Sequence, residues 1–158
     1  MKNSSFFAPF LKQIKISQAT DKQNKDYPFS IPALASTLKI GFDRRVTFFV
    51  GENGSGKSTI LEAIALQCGF NVQGGNRNHI YAEGDTEERN PLSDFVQLSW
   101  LPRVTSGFFL RAESFFNFAS YLDVLARQFP SSYNSYGGQS LHEQSHGEAF
   151  LSLFKNRF

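Results

Sequence analysis

At 158 residues the chain can bury one core and is too short for two ordinary domains. A hydrophobic share of 41% with 19% charged residues excludes a disordered chain, and sixteen Lys+Arg against fourteen Asp+Glu leave +2, which indicates no nucleic-acid or anionic-membrane partner. Eighteen Phe against five Tyr and one Trp require that most aromatic rings be buried, because Phe has no polar handle.

The first 25 residues carry Lys2, Lys12, Lys15, Lys22 and Lys25, with Asp21 and Asp26 among them, and read as a solvated face. The opening MKNSSFFAPF is broken by Pro9 and makes a poor signal peptide. No run approaches the roughly 18 apolar residues of a membrane span. The single Cys68 permits no internal disulfide, so a cytoplasmic location is expected. Residues 10–17 alternate as a strand, and 18–30 turn polar and form a loop through Tyr27 and Pro28. Leu38 to Phe42 and Val46 to Val50 read as two strands, the second (VTFFV) buried on both faces as in a parallel sheet.

The period then becomes helical through Ile60, Leu61, Ile64 and Ala65, with Gly69 as a stop. Residues 69–94 are rich in Gly, Asn, Asp and Pro and leave room for at most a short strand near His79 to Ala82. Phe95 to Leu101 and Gly107 to Arg111 read as strands joined by a turn at Pro102. A helix follows from about Phe115 to Phe129, stopped by Pro130. Ser131 to Ser140 is a flexible connector, and a last helix starts near His146.

Gly51-Glu52-Asn53-Gly54-Ser55-Gly56-Lys57-Ser58, followed by Thr59, satisfies G-x-x-x-x-G-K-[ST] in full, between an expected strand and an expected helix. The chemistry follows from the residue types. The glycines let successive N–H groups point inward at a phosphate, and the start of the next helix adds its positive field. Lys57 supplies a full charge to the terminal phosphates, and the Ser58 hydroxyl is suited to magnesium. Such a loop gives a nucleotide and not yet a reaction, since kinases, GTPases and motors share it.

Gln144-Ser145-His146-Gly147-Glu148 resembles the LSGGQ/LSGGE signature of ABC-type ATPases, with Gln144 for Leu and His146 for Gly. The same residues read without that resemblance as a capping box, Ser145 with Glu148, opening a helix. Together with VTFFVGENGSGKSTILEAIA, GGNRN, GFFLRAESFFNFASYLD and LHEQSHGEAFLSLFKNRF, the chain from Tyr27 onward resembles a bacterial family of small soluble predicted ATPases near the ABC/SMC branch. The resemblance implies an α/β P-loop fold with N-terminal β elements and a parallel core sheet. It implies ATP and Mg2+ as cofactors and a head-to-tail dimer in which Ser145, Gly147 and Glu148 face nucleotide held by the other protomer. It also places Glu113 in the stretch where that class has a glutamine sensing magnesium and the attacking water, with Gln97 as a weaker candidate, and makes Tyr27 a candidate platform for adenine.

ABC-type chemistry further needs an apolar strand ending in Asp and Glu after the signature helix. The ten residues after Glu148 contain neither, and Ser120-Tyr121-Leu122-Asp123 is the nearest match elsewhere. The expectation is one ABC-type domain over 1–158, cut short after the signature helix. Its parts are an N-terminal strand and loop (1–30), strand, phosphate loop and helix (46–67), strand and helix (107–129), and signature with helix (140–158). Phe48, Phe49, Phe150, Phe154 and Phe158 would then face a gap. A non-enzymatic nucleotide-binding or interaction module, a gene fragment needing a partner chain, and a P-loop kinase are the alternatives. His79, His142 and His146 lack metal-ligand spacing, and Cys68 reads as a small apolar residue.

Overall fold

The computed structural model describes residues 8–19, 26–78 and 90–157. Strand β1 (Leu11–Ile16) lies between β2 (Leu38–Gly41) and β3 (Val96–Trp100), and both pairings are antiparallel. Register follows from the alternation in β1. Ile14 faces Ile40 and Leu98, and Ile16 faces Leu38 and Val96, so these side chains share one face of the sheet. Gln13, Lys15, Lys39, Gln97 and Ser99 take the other.

Helix α1 (Lys57–Gln67) covers the apolar face. Ile60 and Ala63 join Ile14, Ile16, Phe29, Ile31, Leu34, Leu92 and Val96 in a first core. A second core is separate from it. Helices α2 (Phe115–Gln128) and α3 (His146–Arg157) bury Phe115, Phe118, Ala119, Leu122, Ala149 and Leu153, together with Tyr136 and Leu141 from the segment between them. Phe118 is its centre, with Phe108, Tyr136 and Phe115 at ring-centroid distances of 5.4, 5.7 and 6.4 Å.

Four expectations need correction. The sheet is antiparallel, and no parallel pairing occurs among the described residues. Val46 to Val50 forms no strand: no described segment lies beside it to complete a ladder, and Val46, Phe48 and Val50 are 66%, 83% and 90% exposed. Gly107 to Arg111 is reduced to one bridge, in which Gly75 and Phe109 exchange backbone bonds of 2.8 and 2.9 Å. The connector after α2 takes a defined course, with a 3₁₀ segment over Pro130–Tyr136 and Tyr136 buried. The short strand considered near His79 and the gap-facing role of Phe158 lie outside the described residues. Of the other rings proposed to face a gap, Phe48 and Phe154 are exposed, whereas Phe49 packs on the first core and Phe150 stacks on Phe115 at 4.4 Å.

Candidate functional site

The phosphate loop is built by two glycines with left-handed backbones, Gly54 at φ 79° and Gly56 at φ 91°. Gly56 is buried against Ile31, where a Cβ would come within 3.3 Å of two side-chain carbons. Ser55 N–H donates to Glu52 O at 3.2 Å and closes the turn, and Ile60 N–H donates to Gly56 O at 3.0 Å as α1 begins. The Lys57 ammonium donates to Gly51 O at 2.8 Å and to Glu52 O at 2.6 Å, with Ser55 Oγ at 3.5 Å. The one full positive charge of the motif is thus folded onto its own loop. Gly51, Glu52, Asn53 and Gly54 are exposed and Ser55 is half-buried, so the loop opens to solvent.

Thr59 and Ser58 lie in different surroundings, the first buried and the second exposed. Thr59 is buried: its hydroxyl bonds Tyr27 Oη at 2.8 Å, and its carbonyl accepts from Asn90 Nδ2 at 2.7 Å. This contact ties Tyr27, 67% exposed, to the start of α1. Ser58 lines a cleft of 170 Å³ with Leu61, Glu62, Arg111 and Glu113. Glu62 shares its helix face with Ser58 because the two are four residues apart. Arg111 Nη1 lies 2.8 Å from Glu62 Oε1, and its Nε donates to Glu113 Oε2 at 3.3 Å. Glu113 therefore does reach the Ser58 cleft. Glu62 and Arg111 were not foreseen, although the spacing of Glu62 from Ser58 was a usable signal. A hydroxyl and two carboxylates are hard oxygen donors of the kind magnesium takes, with both carboxylates paired to Arg111; among the described residues no group of three or more His, Cys, Asp or Glu side chains could hold a metal ion.

The second motif forms the capping box. Ser145 N–H and Oγ–H donate to Glu148 Oε2 at 3.0 and 2.6 Å, and Glu148 N–H donates back to Ser145 Oγ at 3.4 Å. These bonds hold the Glu148 carboxyl below the usual carboxylate range, the side-chain bond from Ser145 contributing most. A carboxylate whose value falls on folding stabilises the fold above its unfolded pKa and loses that effect as pH falls through the folded one. Acidification through the carboxylate range is thus expected to fray the start of α3, seen as lost amide protection there. Ser145→Ala should cost about 1 kcal/mol at neutral pH, read by thermal melting. Gly147 is exposed, and a Cβ placed there would meet nothing within 4 Å. The cap of α3 is not part of the Ser58 cleft lining. Glu113 lines that cleft and also a larger cavity of 420 Å³ beside Gln144, between α2 and α3.

The remaining candidates have structural partners. Asp123 accepts from Tyr133 Oη at 2.9 Å and Ser140 Oγ at 2.7 Å, so it pins the connector to α2. Its bond raises the Tyr133 pKa. Gln97 sits on the exposed face of β3 opposite Lys15. His142 Nε2 lies 3.0 Å from Ser120 Oγ, with its ring edge-on to Phe116. Burial pushes the Cys68 thiol up, against the opposing charges of Arg77 and Arg103, which does not favour a thiolate nucleophile.

Residues 30–107 match the family model of an AAA domain. The AAA match spans β2, the phosphate loop, α1 and β3 and ends before α2, so it covers the P-loop ATPase-like part of the chain and not the cap of α3. It supports ATP binding. No curated protein and no solved structure matches the chain. Among the described residues no helix is long and apolar enough to cross a membrane.

Proposed function

We propose that this chain is the ATP-binding part of a cytoplasmic ABC-type ATPase, with nucleotide held at Gly51 to Thr59 and magnesium at Ser58. The observation that carries the reading is the loop itself. Gly54 and Gly56 hold left-handed backbones, Lys57 is folded into it, α1 starts from it, and Ser58 opens onto a cleft shared with Glu113. A bound phosphate would take over the Lys57 ammonium from the two carbonyls and meet the N-terminus of α1. Magnesium, when bound, would neutralise phosphate charge; Ser58 would hold it, with Glu113 near. Tyr27 is the adenine platform in this reading, since its bond to Thr59 fixes it beside the loop while leaving its ring exposed.

The start of α3, with Ser145, Gly147 and Glu148, is proposed to face nucleotide on a second copy in a head-to-tail dimer. Its open glycine leaves this helix end accessible, and an approaching phosphate would take the Ser145 N–H and hydroxyl over from the Glu148 carboxylate. Hydrolysis calls for a carboxylate that polarises water; Asp123 is occupied by Tyr133 and Ser140, and Glu113 is a carboxylate that lines the cleft beside Ser58. Calorimetric titration with magnesium-ATP tests the binding step, and saturable binding at one site per chain is the expected result. Sedimentation with ATP present tests the dimer. A chain that binds ATP yet stays monomeric would remove the sandwich and leave the nucleotide site.

A further inference from the structure

The cleft beside Ser58 holds an ion-pair arrangement that the phosphate-loop motif does not require. Arg111 uses two different edges of its guanidinium, Nη1 toward Glu62 and Nε toward Glu113. The two bonds are unequal. Glu62 is the shorter contact at 2.8 Å and its side chain is 17% exposed; Glu113 is at 3.3 Å and 67% exposed. The first joins α1 to the segment leading into α2 through a mostly buried carboxylate. The second is a weak, solvent-screened hold on a carboxylate that would otherwise extend into water.

We propose that Arg111 is a positioning residue. Anchored to α1 through Glu62, it holds the Glu113 carboxylate on the Ser58 side of the cleft, available to the divalent cation that accompanies a nucleotide. Charge supports this assignment. Arg111 sits between the two carboxylates and offsets their mutual repulsion, whereas without it Glu113, the exposed member, would swing away. Arginine suits the task because its planar fork serves two acceptors at once, which a lysine ammonium does without fixed geometry. The proposal rests on the ATP-binding reading above.

The test measures ATP affinity by calorimetry in magnesium and in EDTA for the wild-type chain, Arg111→Met, Arg111→Lys, Glu62→Gln and Glu113→Gln. The magnesium-dependent gain in affinity should fall about two- to fivefold in Arg111→Met and Glu62→Gln, the scale of one partly exposed ion pair. Affinity in EDTA should move less. Arg111→Lys should fall between, and Arg111→Met should add nothing in a Glu113→Gln background. A residue that merely braces the fold would lower the melting temperature and shift both affinities alike. An unchanged magnesium gain in Arg111→Met, or an undiminished effect in the Glu113→Gln background, would overturn the proposal. If Arg111→Met shows no cooperative melt, Glu62→Gln and Arg111→Lys carry the same comparison. A wild-type chain that binds no ATP overturns the underlying reading before any variant is compared, so the two failures are distinct.

Discussion

Replacing Lys57 by Ala is expected to weaken magnesium-ATP binding by at least about a hundredfold, since charged hydrogen bonds of roughly 1.5–3 kcal/mol each are lost and every 1.4 kcal/mol is tenfold. The ammonium already lies within the loop, donating to Gly51 O and Glu52 O. A phosphate therefore needs only to exchange those carbonyls for its own oxygens. The variant should fold, because Lys57 is half-buried at the start of α1 and its bonds serve only the loop. Calorimetry of the variant beside the wild-type chain decides the matter. Affinity retained within about threefold would leave the glycine loop as a turn with no nucleotide role.

Phe118→Ala should be the most damaging single change to stability, costing about 3–5 kcal/mol. Phe118 is 1% exposed and touches three other rings, so truncation leaves a hole that Phe108, Phe115 and Tyr136 cannot all collapse into. Total stability of a domain this size is only about 5–15 kcal/mol, which makes such a loss decisive. Because the second core is separate from the sheet core, the damage should be uneven. Hydrogen exchange should show amides of α2 and α3 losing protection while those of β1 around Ile14 keep most of theirs. Equal loss in both regions would mean that the two cores fold as one unit.

What could be read from the sequence was local. The phosphate loop is specified by neighbouring residues, and α1, α2 and the three strands that formed have their ends marked by nearby breakers and by hydrophobic period. The capping box at Ser145 and Glu148 was equally visible, since the two residues are three apart. Errors arose where a distant partner decides. VTFFV has the composition of a buried strand, but a strand exists only with a neighbour to bond, and no described segment supplies one. Strand direction in the sheet depends on how β1 meets β3 across about half of the chain, which no local pattern encodes. The Arg111 link to Glu62 joins two segments far apart in sequence, and neither residue is unusual where it stands.

The run Val46 to Val50, exposed at Val46, Phe48 and Val50, is also the segment that delivers the backbone into the phosphate loop. At its far end the loop is moored: Gly56 is buried against Ile31, and Thr59 is clamped by Tyr27 and Asn90. At its entry no ladder forms among the described residues, and the side-chain contact of Phe49 with the first core and the bonds from Lys57 to Gly51 O and Glu52 O hold it instead. Any further ordering of that entry on nucleotide capture would count against binding as an unfavourable entropy. A strand laid alongside Val46 to Val50, from this chain or another, would tighten ATP binding without touching a phosphate, by preparing the entry in advance.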